Sequence, residues 1–175
     1  MNQTIQRCYL LGHLLVSSLL IPNIATAQIS SDGTLSTTVT SDDGVNFLIE
    51  KGVRTWDHLF HSFSEFSVPS NGSAFFNNAG DIVNIFSRVT GGNISNIDGL
   101  IRANGNANLF LINPAGIIFG ENASLNIGGS FFATTAESVV FGDGIEFSAT
   151  EPNQAPLLTI ILLVYRWEQI REILQ

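Results

Sequence analysis

The side chains best suited to hold a metal ion are two histidines three positions apart, His58 and His61. A zinc site needs such nitrogens together with further Cys, His or carboxylate ligands, and no such cluster stands near them. On a β-strand, neighbouring side chains point to opposite faces, so an offset of three separates the two rings. We therefore expect no shared metal site and no cofactor.

Catalytic and calcium-binding patterns are also weak. The segment Asp42-Asp43-Gly44 lacks the ligand spacing of a calcium loop and is typical of a turn. Ser, His and Asp all occur, but the sequence contains no nucleophile elbow and no ordered triad. Charged residues are too scattered to predict the clustered site of a carbohydrate-active β-helix enzyme. We expect a protein that is not an enzyme.

One cation stands out by its surroundings. Arg88 lies between Ser87, Val89 and Thr90, inside an otherwise apolar and hydroxyl-rich stretch. It could meet an acidic surface on a partner. The alternative is that the Arg88 guanidinium is exposed to solvent on one face of the fold while its aliphatic stem covers apolar neighbours.

Residues 75–132 predict the elements that position these side chains. Short apolar runs alternate there with Asn and Gly, which can adopt positive φ and turn the chain. No segment of the domain has the 3.6-residue apolar period, and no connection is long enough for a βαβ unit. The fold is therefore all-β. The predicted strands include residues 82–86, 94–101, 109–112, 117–119 and 125–132, with residues 30–41 and 45–49 flanking the Asp42 to Gly44 turn.

Two all-β architectures fit this pattern: an antiparallel sandwich and a parallel β-solenoid. The Asn-rich corners favour the solenoid, because stacked coils place Asn side chains above one another, where they can form hydrogen-bonded ladders. Neighbouring large residues in 109–112 and 117–119 indicate strands that are buried on both faces.

The N-terminus predicts export. Residues 1–7 carry one positive charge, residues 9–21 are almost wholly apolar, and Ala25 and Ala27 supply the small side chains that signal peptidase accepts. A spanning helix needs about 20 apolar residues, and this run is shorter. We therefore predict that residues 1–27 form a signal peptide, cleaved before Gln28.

Cleavage changes the charge and the cysteine content. Removal of Arg7 leaves six basic side chains against 15 acidic ones, a formal charge of −9, and Cys8 leaves with the peptide. A chain without cysteine can cross an oxidising compartment without being locked by disulfides, which suits export in an unfolded state. The net negative charge argues against nucleic acid and anionic membrane surfaces as partners.

Residues 113–117 carry a resemblance to a known family. Asn113-Pro114-Ala115-Gly116-Ile117 resembles the Asn-Pro-Asn-Gly-Ile motif of the two-partner secretion domain, also called the filamentous haemagglutinin N-terminal or haemagglutination activity domain. The segments 75–92, 95–114, 116–141 and 144–150 resemble the family in the same order, so the match covers residues 31–150. The resemblance implies a right-handed parallel β-helix without enzymatic activity, assigned here to residues 28–156.

The resemblance also implies a function. Such a domain lies at the front of a large exoprotein and is captured in the periplasm by the periplasmic modules of a cognate Omp85-like outer-membrane transporter. It nucleates β-helix folding during export, and the product is secreted or displayed on the cell surface. The runner-up function is a surface adhesin fragment that binds a glycan or a protein.

The motif and Arg88 are the candidate residues for transporter recognition. Asn113, Pro114 and Gly116 fit a type I turn, in which the third position, here Ala115, accepts most residues. The family usually has Asn at that third position, so Ala115 cannot make any hydrogen bond that the Asn side chain would make to the next coil or to the transporter. Turn chemistry alone also accounts for these residue types, so a tight solenoid corner without a recognition role remains an alternative.

The C-terminal tail, residues 157–175, is atypical for this architecture. Residues 157–164 form an apolar run too short to span a bilayer, and Trp167, Ile170, Ile173 and Leu174 follow with a helical period. We expect a truncated or frame-altered exoprotein whose last residues are foreign to the domain. The alternative is a terminal helix that caps the solenoid.

Overall fold

All regular structure in the described residues is β-structure. The computed structural model describes residues 28–142 and 144–153, and in this part of the chain it contains no helix, and hence none that could span a membrane. The strands are β1 (Ile29–Ser31), β2 (Thr37–Thr40), β3 (Asn46–Lys51), β4 (Val53–Thr55), β5 (His58–Phe66), β6 (Ser73–Phe76), β7 (Asn84–Val89), β8 (Ser95–Ile97), β9 (Leu100–Ala103), β10 (Asn108–Ile112), β11 (Ile117–Phe119), β12 (Ser124–Asn126), β13 (Phe131–Thr134), β14 (Ser138–Val140) and β15 (Glu146–Ser148).

Three parallel sheets form the walls of a β-solenoid. The first stacks β5, β7, β10 and β13, the second stacks β3, β6, β9 and β12, and the third pairs β8 with β11. Each strand pairs in register with its counterpart one coil away, as in the pairing of β5 with β7. This confirms the predicted solenoid and excludes the antiparallel sandwich.

The coils differ in length. His58, Asn84 and Asn108 occupy one column of the first sheet, and the steps between them are 26 and 24 residues. The next step along this column, from Asn108 to Ser130, is 22 residues. Because successive coils become shorter, the sequence shows no repeat of constant length.

The interior is filled by apolar side chains from all three sheets. Phe63, Phe76, Ile85, Ile101 and Leu109 are almost completely buried in this core. The first sheet is buried on its outer face as well, because every residue of β7 is buried. That confirms the two-sided burial predicted for residues 109–112, apart from the half-buried Phe110.

Phenylalanines form a ladder on the outer face of the first sheet. Phe60, Phe86, Phe110 and Phe132 stack on one another with centroid distances of 5.1, 4.7 and 4.7 Å. The antiparallel hairpin of β14 and β15 folds back over the first rungs, and its Phe147 packs edge-on against Phe60 at 5.2 Å. The hairpin thereby converts an outer surface into a second core.

The N-terminal end of the solenoid is covered by antiparallel strands that the sequence did not predict. β1 and β4 pair with β5, and β2 pairs with β3. The predicted strand over residues 30–41 is therefore wrong: it is two strands, separated by a bend at residues 33–36. The predicted turn between β2 and β3 is confirmed, and the Asp43 carboxylate accepts the N–H groups of Val45 and Asn46 at 2.9 and 2.7 Å.

Asparagine ladders hold the corners, as predicted. Asn108 donates to the side-chain oxygen of Asn84 at 2.9 Å, and the backbone of Asn104 donates to the side chain of Asn78 at 2.9 Å. Positive φ is rare among these asparagines, since in the described residues only Asn71 adopts it. Asparagine therefore stabilises the corners mainly through hydrogen bonds of its side-chain amide, whereas most residues with positive φ are glycines.

Two predicted strands are interrupted by corners. Residues 94–101 divide into β8 and β9 because Gly99 makes a corner in which an added Cβ would lie 2.4 Å from the carbonyl oxygen of Pro69. Residues 125–132 likewise divide into β12 and β13 around a glycine pair. The strand predicted at residues 82–86 begins two residues later in the structure, as β7 (Asn84–Val89).

The C-terminal end of the solenoid is open in the described residues. Ile118, Phe119, Leu125 and Phe132, on β11 to β13, are between 46% and 54% exposed. The predicted burial of residues 117–119 on both faces is therefore wrong, because no further coil covers them in this part of the chain. These three edge strands carry no charged residue.

Candidate recognition site

The Asn113 side chain lies inside the folded domain. It has no exposed surface, and its amide donates to the carbonyl oxygen of Asn93 and to the hydroxyl of Ser95, both at 2.9 Å. Its side-chain oxygen accepts the backbone N–H of Ala115 at 3.0 Å. Asn113 therefore joins its corner to the preceding coil with its hydrogen-bonding groups occupied.

Residues 113–116 form the predicted turn. The N–H of Gly116 donates to the carbonyl oxygen of Asn113 at 3.0 Å. Gly116 has φ of 124°, a value that favours glycine, whereas Ala115 is absent from the residues with positive φ, which fits type I and excludes type II. The Ala115 side chain thus leaves the turn intact.

The rest of the motif is partly accessible. Pro114, Ala115, Gly116 and Ile117 are half-buried, and Ile117 packs against the interior core. Only the outer surface of the turn could touch a partner once the domain has folded.

Arg88 is buried in the folded domain, although it pairs in register with Ile112, the residue before the motif. It is 3% exposed, so its interpretation as a solvated residue on a solenoid face is wrong. Its guanidinium donates to the hydroxyls of Ser62 at 2.8 Å and Thr34 at 3.0 Å. It also donates to the carbonyl oxygens of Ser148 at 2.7 Å and Pro152 at 2.9 Å.

These contacts make Arg88 a junction between distant parts of the chain. Thr34 follows β1, Ser62 lies in β5, and Ser148 ends the hairpin. The guanidinium also lies over the Phe147 ring, 4.6 Å from its centroid. Burial lowers the Arg88 pKa and the Asp32 carboxylate opposes that effect, so the cation depends on its hydrogen bonds.

Asp32 completes this junction, and the sequence reasoning missed it. Its carboxylate accepts hydrogen bonds from the hydroxyls of Ser62, at 2.5 Å, Thr34 and Thr90. Burial raises the Asp32 pKa, but these hydrogen bonds, with one from the Thr34 backbone, leave it below its ordinary value. No local sequence signal joins residue 32 to residues 62, 88 and 90, which meet only in the stacked coils.

The two histidines lie on opposite faces of β5, as predicted. The His58 ring meets Phe86 on the outer face at 5.9 Å, whereas His61 meets Phe76 in the interior at 5.5 Å. Burial lowers the pKa of His61 to about 3, so this ring is neutral inside the core. In residues 28–142 and 144–153, no three His, Cys, Asp or Glu side chains are grouped as metal ligands.

The processing site and the tail fall largely outside the described residues. Ala25 and Ala27 belong to the undescribed residues 1–27, and the tail from residue 157 is also outside. Gln28 is described, and its carbonyl oxygen accepts the N–H of Ser67 at 2.9 Å. Cleavage before Gln28 and the helical period of the tail stay predictions.

Comparison with known proteins defines the family. Residues 27–164 match the TPS secretion domain, and the chain belongs to this family. The chain is also 35% identical, over 101 residues, to the heme/hemopexin-binding protein of Haemophilus influenzae. That alignment covers 54% of this chain and 10% of the relative, so the chain matches about a tenth of the relative's length.

Family membership indicates the compartment. TPS domain proteins are secreted exoproteins, which places this chain among secreted or cell-surface proteins. The resemblance identified from Asn113 to Ile117 and its flanking segments is confirmed.

Proposed function

We propose that this domain is the export address of an exoprotein, recognised before it folds by the periplasmic modules of an Omp85-like outer-membrane transporter. On this proposal signal peptidase removes residues 1–27, the chain reaches the periplasm unfolded, and the transporter captures it there. The domain has no catalytic role. The match of residues 27–164 to the TPS secretion domain is the observation that carries the proposal.

The position of Asn113 supports recognition of the unfolded chain. Because its amide is buried and hydrogen-bonded in the folded domain, a transporter could bind this side chain only before the coils close. An extended segment can be captured by addition to an exposed sheet edge, where backbone hydrogen bonds give affinity and side chains give selectivity.

The two ends of the solenoid support a role in seeding the fold. Antiparallel strands cover the N-terminal end, whereas β11 to β13 are edge strands without any charged residue, and no further strand pairs with them in the described part of the chain. Charged side chains on an edge would discourage a further strand. The domain thus offers a template on which later coils of an exoprotein can pair in a fixed register.

Export in the presence and absence of the cognate transporter tests the address. We expect Asn113→Ala combined with Pro114→Ala to abolish secretion while the chain accumulates in the periplasm. Ala115→Asn should improve secretion or leave it unchanged, because the turn already forms with alanine.

Ser95→Ala is the matched control, since it removes one hydrogen-bond partner of Asn113 and leaves residues 113–117 unaltered. Loss of one such bond costs about 1 kcal/mol of stability. If export follows stability in both variants, the motif is only a solenoid corner. Normal secretion of the double variant with its transporter present would move recognition elsewhere in residues 31–112.

A further inference from the structure

A shallow polar groove lies on the outer surface of the second sheet, and none of residues 113–117 lines it. It measures about 480 Å³ and runs across the coils that contain β3, β6, β9 and β12. Its lining is rich in amide and hydroxyl groups: Asn46, Asn71, Gly72, Ser73, Gly99, Leu100, Arg102, Asn122 and Ser124.

Arg102 gives the groove its only cation. Its guanidinium lies over the Phe75 ring, 3.8 Å from the centroid, and Phe75 occupies the position before it in the same column of the sheet. Such stacking fixes the plane of the guanidinium and leaves its N–H edge available. No side chain or carbonyl within residues 28–142 and 144–153 accepts a hydrogen bond from Arg102.

The other arginines of the described residues are occupied. Arg54 makes a two-point pair with Asp81, at 3.1 and 2.7 Å, and Arg88 is buried in its junction. In a chain with a formal charge of −8, Arg102 forms no ion pair within the described residues. The carboxylates at the groove are those of Asp43 and Asp98, which accept hydrogen bonds from Asn46 and Asn122. Asn71 and Ser124 line the same groove and their side chains also lack a partner in this part of the chain.

We propose that this groove binds a carboxylate-bearing sugar, such as a uronic acid unit of an acidic glycan. The guanidinium edge of Arg102 would hold the carboxylate through two parallel hydrogen bonds, the geometry for which arginine is best suited. Asn71 and Ser124 would bind sugar hydroxyls, which both donate and accept hydrogen bonds.

The dimensions and polarity favour a sugar over a protein surface. A stable protein interface buries at least about 1,000 Å² and has an apolar centre, whereas this lining is mostly amide, hydroxyl and backbone. General charge attraction cannot explain binding of an anion, because the protein is itself acidic. Binding therefore depends on Arg102. This proposed sugar binding is independent of the proposed export function.

Titration of the full chain by NMR with trigalacturonate tests this site. We expect saturable shift changes at groove residues and about tenfold weaker binding for Arg102→Gln, the loss expected for hydrogen bonds to a charged group. The fully methylated ester of trigalacturonate, which lacks the carboxylate charge, should bind more weakly by a similar factor.

Arg54→Gln is the matched control, since it removes an exposed arginine outside the groove and should bind like the unaltered chain. Thermal melting verifies that both variants fold. Equal affinity for the ester, equal weakening by Arg54→Gln, or binding of inorganic phosphate as tight as that of trigalacturonate would each overturn the proposal. The proposal would also be overturned if the unaltered chain bound no saccharide and Arg102→Gln were not exported. That result would indicate that Arg102 contacts the transporter.

Discussion

Arg88→Met tests the junction that closes the domain. The substitution keeps an unbranched apolar stem and removes the guanidinium with its four hydrogen bonds. It leaves the carbonyl oxygens of Ser148 and Pro152 without their donor and the Asp32 carboxylate without a nearby cation. The hairpin of β14 and β15 then keeps only its other contacts with the coils, among them the packing of Phe147 on Phe60.

The magnitude follows from the burial of the cation. Removal of one partner from a buried charged network costs about 3 to 5 kcal/mol. Total stabilities of such domains are about 5 to 15 kcal/mol, so the variant loses at least about a fifth of its stability. For a domain of this size, the melting temperature should fall by roughly 10 to 20 °C.

Urea denaturation followed by far-ultraviolet circular dichroism measures the loss. Arg54→Met is the control, because its ion pair with Asp81 is exposed and should leave the midpoint unchanged. Ser62→Ala combined with Arg88→Met should lose less stability than the sum of the single variants, since both remove the same 2.8 Å hydrogen bond.

An unchanged midpoint in Arg88→Met would refute the junction. If that variant were also not exported, Arg88 would act as a direct contact for the transporter, as the sequence alone allowed. Reduced stability with normal export would leave the junction as its role.

Three further predictions address acid sensitivity, the open end and processing. Because burial lowers the pKa of His61 to about 3, the folded chain binds fewer protons than the unfolded chain below about pH 6. Unfolding titrations should therefore show stability falling by up to about 1.4 kcal/mol per pH unit down to about pH 3, and His61→Gln should flatten this slope. Sedimentation should show concentration-dependent association through the uncharged edge strands, and Leu125→Lys should reduce it; equal association in both chains would contradict this. Mass spectrometry of exported protein should find Gln28 at the N-terminus, whereas mature material retaining Met1 would count against cleavage.

Local features of the sequence predicted much of the architecture. The apolar runs gave β11 with correct bounds and β10 with the correct end, since both end at a glycine or asparagine corner that is visible in the sequence. Stacked asparagines were predicted for the same reason, and Asn84 and Asn108 form such a ladder. Opposite faces for His58 and His61 followed from strand alternation alone.

Contacts between distant segments could not be predicted in the same way. Arg88 meets Ser148 and Pro152 across 60 and 64 residues, and no periodicity links these positions. Strand β4 and the antiparallel pairing of β1, β2 and β4 were missed, because covering an end of a solenoid depends on the finished coil. Arg102 was missed because its neighbour Phe75 lies a full coil earlier in the chain.

Binding of the purified periplasmic modules of the cognate transporter to this chain is the most direct test of the central claim. We predict binding to the chain freshly diluted from urea, loss of that binding in the Asn113→Ala and Pro114→Ala double variant, and little binding to the folded domain. Equally tight binding to the folded domain, unaffected by the double variant, would contradict recognition of the unfolded chain through this motif.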